Sequence, residues 1–182
     1  MGFETIAFRR ISKESAEHFN RFDCGRAELN LFLLEDALEY DEHGLTVTTL
    51  VYEAENPCPV AFYSLSADAV KLTTFETGEL GLPFTTEISF FPAVKITRFA
   101  VGREMQRNGL GRHLLNTIQG QVFSSNHAVR LLTVDALNDK DVISFYGNSG
   151  FQTSLETENR RKRGNQNGEY ETVHMIKDIY AE

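Results

Sequence analysis

The stretch that decides the fold spans residues 96–115 and reads Ile-Thr-Arg-Phe-Ala-Val-Gly-Arg-Glu-Met-Gln-Arg-Asn-Gly-Leu-Gly-Arg-His-Leu-Leu. A strand-type run over 94–101 leads into apolar residues at helical spacing over 109–123, which predicts strand, turn and helix. Gly109 and Gly111 let the backbone approach a bound group closely. The first amides of a helix lack internal partners and carry partial positive charge, so this turn suits a pyrophosphate. Glycine spacing alone leaves an ordinary tight turn as an equal alternative.

Two common nucleotide-binding motifs do not match this turn. The Gly-Lys-Ser/Thr end of a P-loop is missing, and the dinucleotide fingerprint needs a third glycine where Leu114 stands. If the turn holds an anion, it belongs to another class of phosphate site.

The remaining sequence predicts one mixed α/β domain over residues 1–182. Helices are predicted over 12–19, 29–44, 109–123 and 139–149. Strands are predicted over 6–11, 46–53, 60–66, 94–101, 129–136 and 172–179, with a further strand after Gly150-Phe151. Residues 72–92 are expected to form an irregular connection with at most short elements, and residues 158–169 a polar basic loop.

Charge and composition exclude several classes of protein. The net charge is -8, and the acidic residues lie mainly in the first half of the chain. Such a balance argues against a general nucleic-acid platform, because binding to phosphate backbones is driven by Lys and Arg. Two cysteines and five histidines without metal spacing predict no metal site and no disulfide framework. No apolar run reaches the roughly 20 residues of a membrane helix, so we expect a cytoplasmic protein without a membrane partner.

Two motifs together identify a family resemblance. Gln106-Arg107-Asn108-Gly109-Leu110-Gly111 resembles the Q/R-x-x-G-x-G/A acyl-CoA motif of the GNAT superfamily of N-acetyltransferases. Asn138, the pair Phe145-Tyr146 and then Gly150-Phe151 resemble its second signature, about 35 residues further on. The resemblance covers residues 6–179. It implies the GNAT fold, a mixed, mostly antiparallel sheet of six to seven strands splayed at the centre and flanked by about four helices, with acetyl-CoA as co-substrate in the opening between the strands 94–101 and 129–136.

The N-terminal half resembles one bacterial branch of that superfamily. Phe22-Asp23-Cys24-Gly25 and the Leu29-Asn30 pair are similar to an F-D-C-G-x-x-x-L-N opening, with toxin-like members that acetylate aminoacyl-tRNA and sit beside ribbon-helix-helix antitoxins. The resemblance implies a homodimer and a possible antitoxin partner of that type. The tRNA contact would be the basic run Arg160, Arg161, Lys162 and Arg163.

The acceptor stays open at this point, because those toxins carry a basic surface and this first half is acidic. A small cationic amine or a peptide amine is the rival acceptor. The acidic face of helix 29–44 would attract the former. A non-catalytic module that binds CoA is the third possibility.

The resemblance also implies a role for each site residue. Tyr146 is the general acid that protonates the departing thiolate, against the alternative of a core tyrosine. Asn138 bonds the pantetheine arm, against the alternative of a helix cap. Cys24 is disfavoured as a nucleophile, since no histidine partner is evident. The implied CoA-binding residues are Phe99, Ala100, Val101, Gln106, Arg107, Asn108, Gly109, Leu110, Gly111, Arg112, Asn138 and Phe145. No general base can be named from the sequence.

Overall fold

The computed structural model describes residues 6–53, 56–164 and 170–181, without the side chains of residues 16, 17 and 164. Its strands are β1 (Ile6–Arg10), β2 (Val47–Glu53), β3 (Ala61–Val70), β4 (Phe91–Val101), β5 (Leu131–Leu137), β6 (Gln152–Thr153) and β7 (Thr172–Asp178). They form one seven-stranded sheet in the order β1-β2-β3-β4-β5-β7-β6. The pairs β1–β2, β2–β3, β5–β7 and β6–β7 are antiparallel. The predicted α/β class and strand number are confirmed.

The helices are α1 (Ala27–Leu31), α2 (Ala37–Glu42), α3 (Thr74–Glu79), α4 (Leu110–Phe123), α5 (Lys140–Gly147) and α6 (Leu155–Gly164). Short 3-10 segments cover Lys13–Arg21 and Arg103–Met105. Ser12 begins the first of these, where its N–H donates to Ser15 Oγ at 3.0 Å. No helix in the described part of the chain is long and apolar enough to cross a membrane.

Met1–Ser66 and Ile96–Thr117 form one compact unit. Its core joins the face of β2 and β3 that carries Leu50 and Phe62 to the aromatic side chains of the N-terminal helices. The apolar positions predicted for the first turns of α4, Leu110, Leu114 and Leu115, are also buried. The buried cluster consists of Ile11, Phe19, Phe22, Cys24, Phe32, Leu33, Ala37, Leu50, Tyr52, Phe62 and Ala100.

Ala67–Lys95 and Ile118–Glu182 form the second unit. A buried glutamate organises the connection between β3 and β4. Glu76 accepts hydrogen bonds from the N–H of Thr73 at 2.7 Å, which caps α3, and from the N–H of Leu155 at 2.8 Å, which begins α6. The expected irregular connection over 72–92 therefore contains one short helix. The unit's core cluster is Val70, Leu72, Phe91, Ala93, Leu131 and Ile176.

A π-helical turn over Phe32–Asp36 separates α1 from α2 and changes which residue is buried. The N–H of Ala37 donates to Phe32 O, five residues back, so the turn holds one extra residue. The helical spacing of Leu29, Phe32, Leu33, Ala37 and Tyr40 in the sequence predicts one apolar stripe. After the π-helical turn, however, Asp41 is buried and Tyr40 is 38% exposed. Asp41 accepts hydrogen bonds from Arg10 Nε and the N–H of Thr48, both at 2.8 Å, which satisfies the buried carboxylate.

The prediction of a basic loop over 158–169 is wrong for its first part. Residues 155–164 form α6, and 165–169 lie outside the described residues. Two i,i+4 ion pairs stabilise the helix, Arg160 with Glu156 at 3.2 Å and Lys162 with Glu158 at 3.4 Å. The polar composition predicts a loop. The ion pairs, and the hydrogen bond from the N–H of Leu155 to Glu76 at the first turn, instead favour a solvated helix.

Candidate functional site

The turn between β4 and α4 has an unusual backbone. Arg107 has φ 61° and Gly109 has φ 86°, both in the left-handed region. An L-residue such as arginine pays about 1–2 kcal/mol there, so its surroundings must enforce the conformation. Alternation of left- and right-handed residues turns successive N–H groups toward one side, which forms an anion-binding concavity.

The start of α4 adds further donors to this turn. The first helical hydrogen bond runs from the N–H of His113 to Gly109 O at 3.1 Å. The amides of Leu110, Gly111 and Arg112 precede it and lie where the helix dipole is positive. The side chains of Arg107, Asn108 and Arg112 are exposed beside them. The residues implied to bind the CoA pyrophosphate therefore lie at one turn, and their binding role stays a prediction.

Gln106 has a different local role from its neighbours. Its side-chain Nε2 donates to Val101 O and to Cys24 O, both at 2.8 Å. Its own N–H donates to Arg103 O at 3.3 Å. Gln106 therefore fixes the shape of the turn, and the amides that follow it are the candidates for binding an anion.

The Asp23-Cys24-Gly25 segment packs against the same turn. The Asp23 side chain accepts hydrogen bonds from the N–H of Gly25 at 2.7 Å and from Asn30 Nδ2 at 2.9 Å, and it pairs with Arg103 Nε at 2.9 Å. The Asn30 bond, the Gly25 bond and Arg103 lower the pKa of Asp23. The N–H of Arg103 also donates to Asp23 O at 2.9 Å. The F-D-C-G motif and Asn30 therefore brace the turn.

Cys24 is placed as a structural thiol. It is buried, its Sγ lies 3.1 Å from Asn30 Oδ1, and burial raises its pKa. A buried protonated thiol is a poor nucleophile, which agrees with the expectation from the sequence.

A cavity of about 560 Å³ opens between this braced segment and the end of β4. Three predicted CoA-arm residues line it, Phe99, Ala100 and Val101. The Ala100 side chain itself belongs to the apolar core. The whole lining is Cys24, Gly25, Arg26, Leu29, Phe99, Ala100, Val101, Arg103 and Gln106.

Tyr146 lies on α5 in the second unit and is 6% exposed. Its ring makes edge contacts with Phe145 at 5.1 Å and Phe151 at 5.4 Å between centroids. Burial raises the pKa of its hydroxyl, so the phenol keeps its proton at neutral pH, as a general acid must. Phe145 packs against Tyr146, and this contact positions the phenol.

Asn138 is not the cap of α5. Asp139 has that role, because its Oδ1 accepts from the N–H of Asp141 at 2.9 Å and of Val142 at 3.2 Å. Asn138 instead donates from Nδ2 to Tyr170 O at 3.0 Å and from its backbone N–H to Glu171 O at 2.8 Å. The helix-cap alternative is therefore wrong.

A second cavity, of about 400 Å³, lies between α6 and β7 and includes Asn138. The guanidinium of Arg161 stacks over the ring of Tyr170 at 4.2 Å and donates to Thr172 O at 2.6 Å. The lining is Asn138, Thr153, Ser154, Thr157, Glu158, Arg161, Lys162, Tyr170, Thr172, Val173 and His174.

One ionisable cluster was missed by the sequence analysis. His174 on β7 lies opposite Asp135 on β5, and its Nδ1 is 2.7 Å from Asp135 Oδ1. Lys95 on β4 donates to the other carboxylate oxygen at 2.5 Å. The His174 bond, and then Lys95, hold the pKa of Asp135 well below its usual range despite partial burial. The two residues are 39 positions apart, so only the strand register signals the pair.

No group of three or more histidine, cysteine or acidic residues in the described ranges could hold a metal ion.

Comparisons with known proteins agree with this geometry. The family model of the Acetyltransferase (GNAT) domain matches residues 87–171. Among curated proteins, no sequence matches significantly.

Three solved structures illustrate the likeness in fold. A mutant of the AtaT toxin, bound to the C-terminus of the antitoxin AtaR and acetyl-CoA, is 19% identical with a TM-score of 0.65, covering 97% of this chain and 94% of that one. AtaT complexed with acetyl-methionyl-tRNAfMet is 19% identical with a TM-score of 0.67, covering 93% of each chain. A structure described as a bacterial toxin is 16% identical with a TM-score of 0.73, covering 96% of this chain and 90% of that one.

The family match includes the turn with the left-handed Arg107, the start of α4 and Tyr146, and the fold likeness extends over nearly the whole chain. Residues 87–171 therefore match a GNAT acetyltransferase domain, and the chain shares its fold with the AtaT structures.

Proposed function

We propose that this protein transfers the acetyl group of acetyl-CoA to the amino group of an aminoacyl-tRNA. The observation that carries the acetyl-CoA part is the left-handed turn at Arg107 and Gly109 that leads into α4. It places several amides and two exposed arginines at one turn, an arrangement that suits the CoA pyrophosphate. The toxin AtaT, which shares the fold, is known bound to acetyl-CoA.

In the proposed reaction the amine attacks the thioester carbonyl directly. The main chain of Phe99, Ala100 and Val101 holds the pantetheine arm, and Asn138 adds a hydrogen bond through its Oδ1. A backbone amide near Val101 stabilises the oxyanion. Tyr146 donates the proton that the departing thiolate needs. The support for this assignment is that Tyr146 lies on α5, within the residues that match the GNAT domain model.

The aminoacyl-tRNA acceptor is supported by a fold neighbour and by the basic face of α6. AtaT has been solved with acetyl-methionyl-tRNAfMet. In this chain Arg160 and Lys162 are exposed and pair with Glu156 and Glu158 within the helix, in contacts that phosphates would replace. Arg161 is engaged with Tyr170 and Thr172, so we assign it to shaping the cavity.

A small cationic amine is the competing acceptor, favoured by the exposed carboxylates of Glu28, Glu35 and Glu39 on the N-terminal helices. The experiment that decides is transfer from labelled acetyl-CoA into a pool of charged tRNA, run beside polyamines, aminoglycosides and peptides. Label in the aminoacyl group supports the proposal if the transfer falls steeply as the salt concentration rises, because tRNA binding weakens with salt. Label only in a small amine contradicts the tRNA acceptor and keeps the acetyl donor.

If acetyl-CoA binds and no acceptor is labelled, the protein is a non-catalytic module that binds CoA. Binding of acetyl-CoA by calorimetry, measured on the same preparation, distinguishes that outcome from a protein that has lost its fold.

We also propose that this protein is a cytoplasmic toxin that forms a homodimer and is bound by a ribbon-helix-helix antitoxin. The support is the fold shared with AtaT, which is known bound to the antitoxin AtaR. Growth arrest on expression, relieved by co-expression of an adjacent antitoxin gene, tests the toxin role. Light scattering of the purified chain tests the dimer.

A further inference from the structure

We propose that His174, oriented by Asp135, is the general base that accepts the proton of the attacking amine. This inference rests on the proposed acetyl transfer and adds the residue that the sequence could not name. The inference is the same whether the acceptor is an aminoacyl-tRNA or a small amine.

The hydrogen-bond pattern fixes how the imidazole is held. An ionised carboxylate only accepts hydrogen bonds, so the Nδ1 of His174, 2.7 Å from Asp135 Oδ1, must carry the proton. In the neutral ring this leaves the lone pair on Nε2. Lys95 bonds the second oxygen of Asp135 and keeps that carboxylate ionised. Asp135 therefore holds the imidazole of His174 in one orientation, as a general base requires.

The location of His174 argues against a purely structural pair. Its side chain is 14% exposed and lines two cavities, the one of about 400 Å³ that includes Asn138 and a smaller one of about 200 Å³ bounded by Asp68 and Lys95. Asn138 is the residue proposed to bind the pantetheine arm. A proton acceptor and a co-substrate residue thus share one cavity, whose cationic rim is Arg161 and Lys162.

The proposed step balances in atoms and electrons. The amine nitrogen forms a bond to the acetyl carbonyl carbon, and its proton passes to Nε2 of His174. The C–S bond then breaks, and the Tyr146 hydroxyl protonates the sulfur that leaves with the electron pair. Exchange with solvent returns a proton to Tyr146 and removes one from His174, so the products are the amide and free CoA.

Three variants of the full chain test this step. His174→Gln keeps a polar side chain without a basic nitrogen, and His174→Ala leaves room for added imidazole. Asp135→Asn keeps the shape of the orienting group and removes its charge. His127→Gln is the matched control, because His127 is exposed on the loop after α4 and outside the proposed site.

We expect both His174 variants to lose about 10²- to 10⁴-fold in kcat/KM while the Kd for acetyl-CoA stays within twofold of wild type. Imidazole should restore part of the rate of His174→Ala, and the acid limb of the pH–rate profile should vanish in His174→Gln. The profile is measured for wild type too, because other charged groups line the two cavities. These are Asp68, Lys71, Lys95, Glu156, Glu158, Arg160, Arg161 and Lys162.

Wild-type kcat/KM in His174→Gln overturns the inference. So does a slower variant with an unchanged pH profile and no response of His174→Ala to imidazole, since that pattern is the one expected of a positioning residue. If the His174 variants do not fold, Asp135→Asn decides: an undiminished rate with a wild-type profile overturns it. A wild-type protein that acetylates no amine refutes the proposed function itself, whereas an active wild type with active His174 variants refutes only this step.

Discussion

Replacing Tyr146 by phenylalanine separates chemistry from folding in this protein. Phenylalanine keeps the ring and therefore its edge contacts with Phe145 and Phe151, and it removes only the hydroxyl. That hydroxyl makes no hydrogen bond with the described residues, so its loss leaves no partner unpaired. We expect the free energy of unfolding to change by no more than about 1 kcal/mol. Truncation to alanine would instead cost about 3–5 kcal/mol, through the cavity it leaves.

The loss of turnover in Tyr146→Phe should be about 10²- to 10⁴-fold in kcat, the usual contribution of a general acid. The assay is transfer from labelled acetyl-CoA to the accepted amine under saturating co-substrate, with calorimetry for the Kd of acetyl-CoA and a thermal melt beside it. Tyr180→Phe is the control, because Tyr180 is an exposed tyrosine near the C-terminus. A Tyr146→Phe protein with wild-type kcat would refute the acid role. One that has lost acetyl-CoA binding would make Tyr146 a binding residue.

Three further predictions test the turn, the bracing loop and the ionisable cluster. Arg107→Gly relieves a left-handed φ and should stabilise the fold by about 1 kcal/mol in urea unfolding. If the backbone amides supply most of the pyrophosphate binding, the Kd of Arg107→Gly for CoA should rise less than tenfold. A larger loss of affinity would assign the binding to the guanidinium. Gly25→Ala should destabilise by about 1 kcal/mol or more, because φ is +85° and the new Cβ would lie 3.1 Å from Arg103 Nε. Gly120→Ala, on open space in α4, should stabilise by about 0.5–1 kcal/mol, and equal effects of the two would contradict the bracing role. Asp135 has a lowered pKa, so the folded state binds fewer protons there than the unfolded state. Its stabilisation is therefore present above about pH 4 and is lost as the pH falls through the folded-state pKa. Asp135→Asn should flatten that part of the acid unfolding curve, and an unchanged curve would contradict the depressed pKa.

Sequence patterns predicted the strands, α4, α5 and the turn before α4, because each depends on neighbouring residues. The period of Leu110, Leu114 and Leu115 is a property of the chain alone, and all three are buried. The sequence predicted a loop where α6 forms. This helix is stabilised by Glu76, about 80 residues earlier in the chain, and by ion pairs between its own side chains. The same polar composition would also suit a solvated loop, so composition alone could not reveal the helix.

The burial of Asp41 in place of Tyr40 has a similar origin. A single extra residue in the π-helical turn rotates the following positions, and nothing in the apolar spacing signals that insertion. The pattern identified the helical region correctly and misassigned its last buried position.

By itself, the sequence determined the strand, turn and helix over 94–123 and the GNAT match of residues 87–171, because glycines, a preceding strand and a following helix are local features of the chain. Only the tertiary structure decided which side chains are free to act. It engages Gln106 and Asn138 in hydrogen bonds to distant backbone, and it brings His174 to Asp135 through the register of β5 and β7. Proton transfer and its orientation depend on distances of about 3 Å, and such distances between remote residues are set by how strands pair and pack.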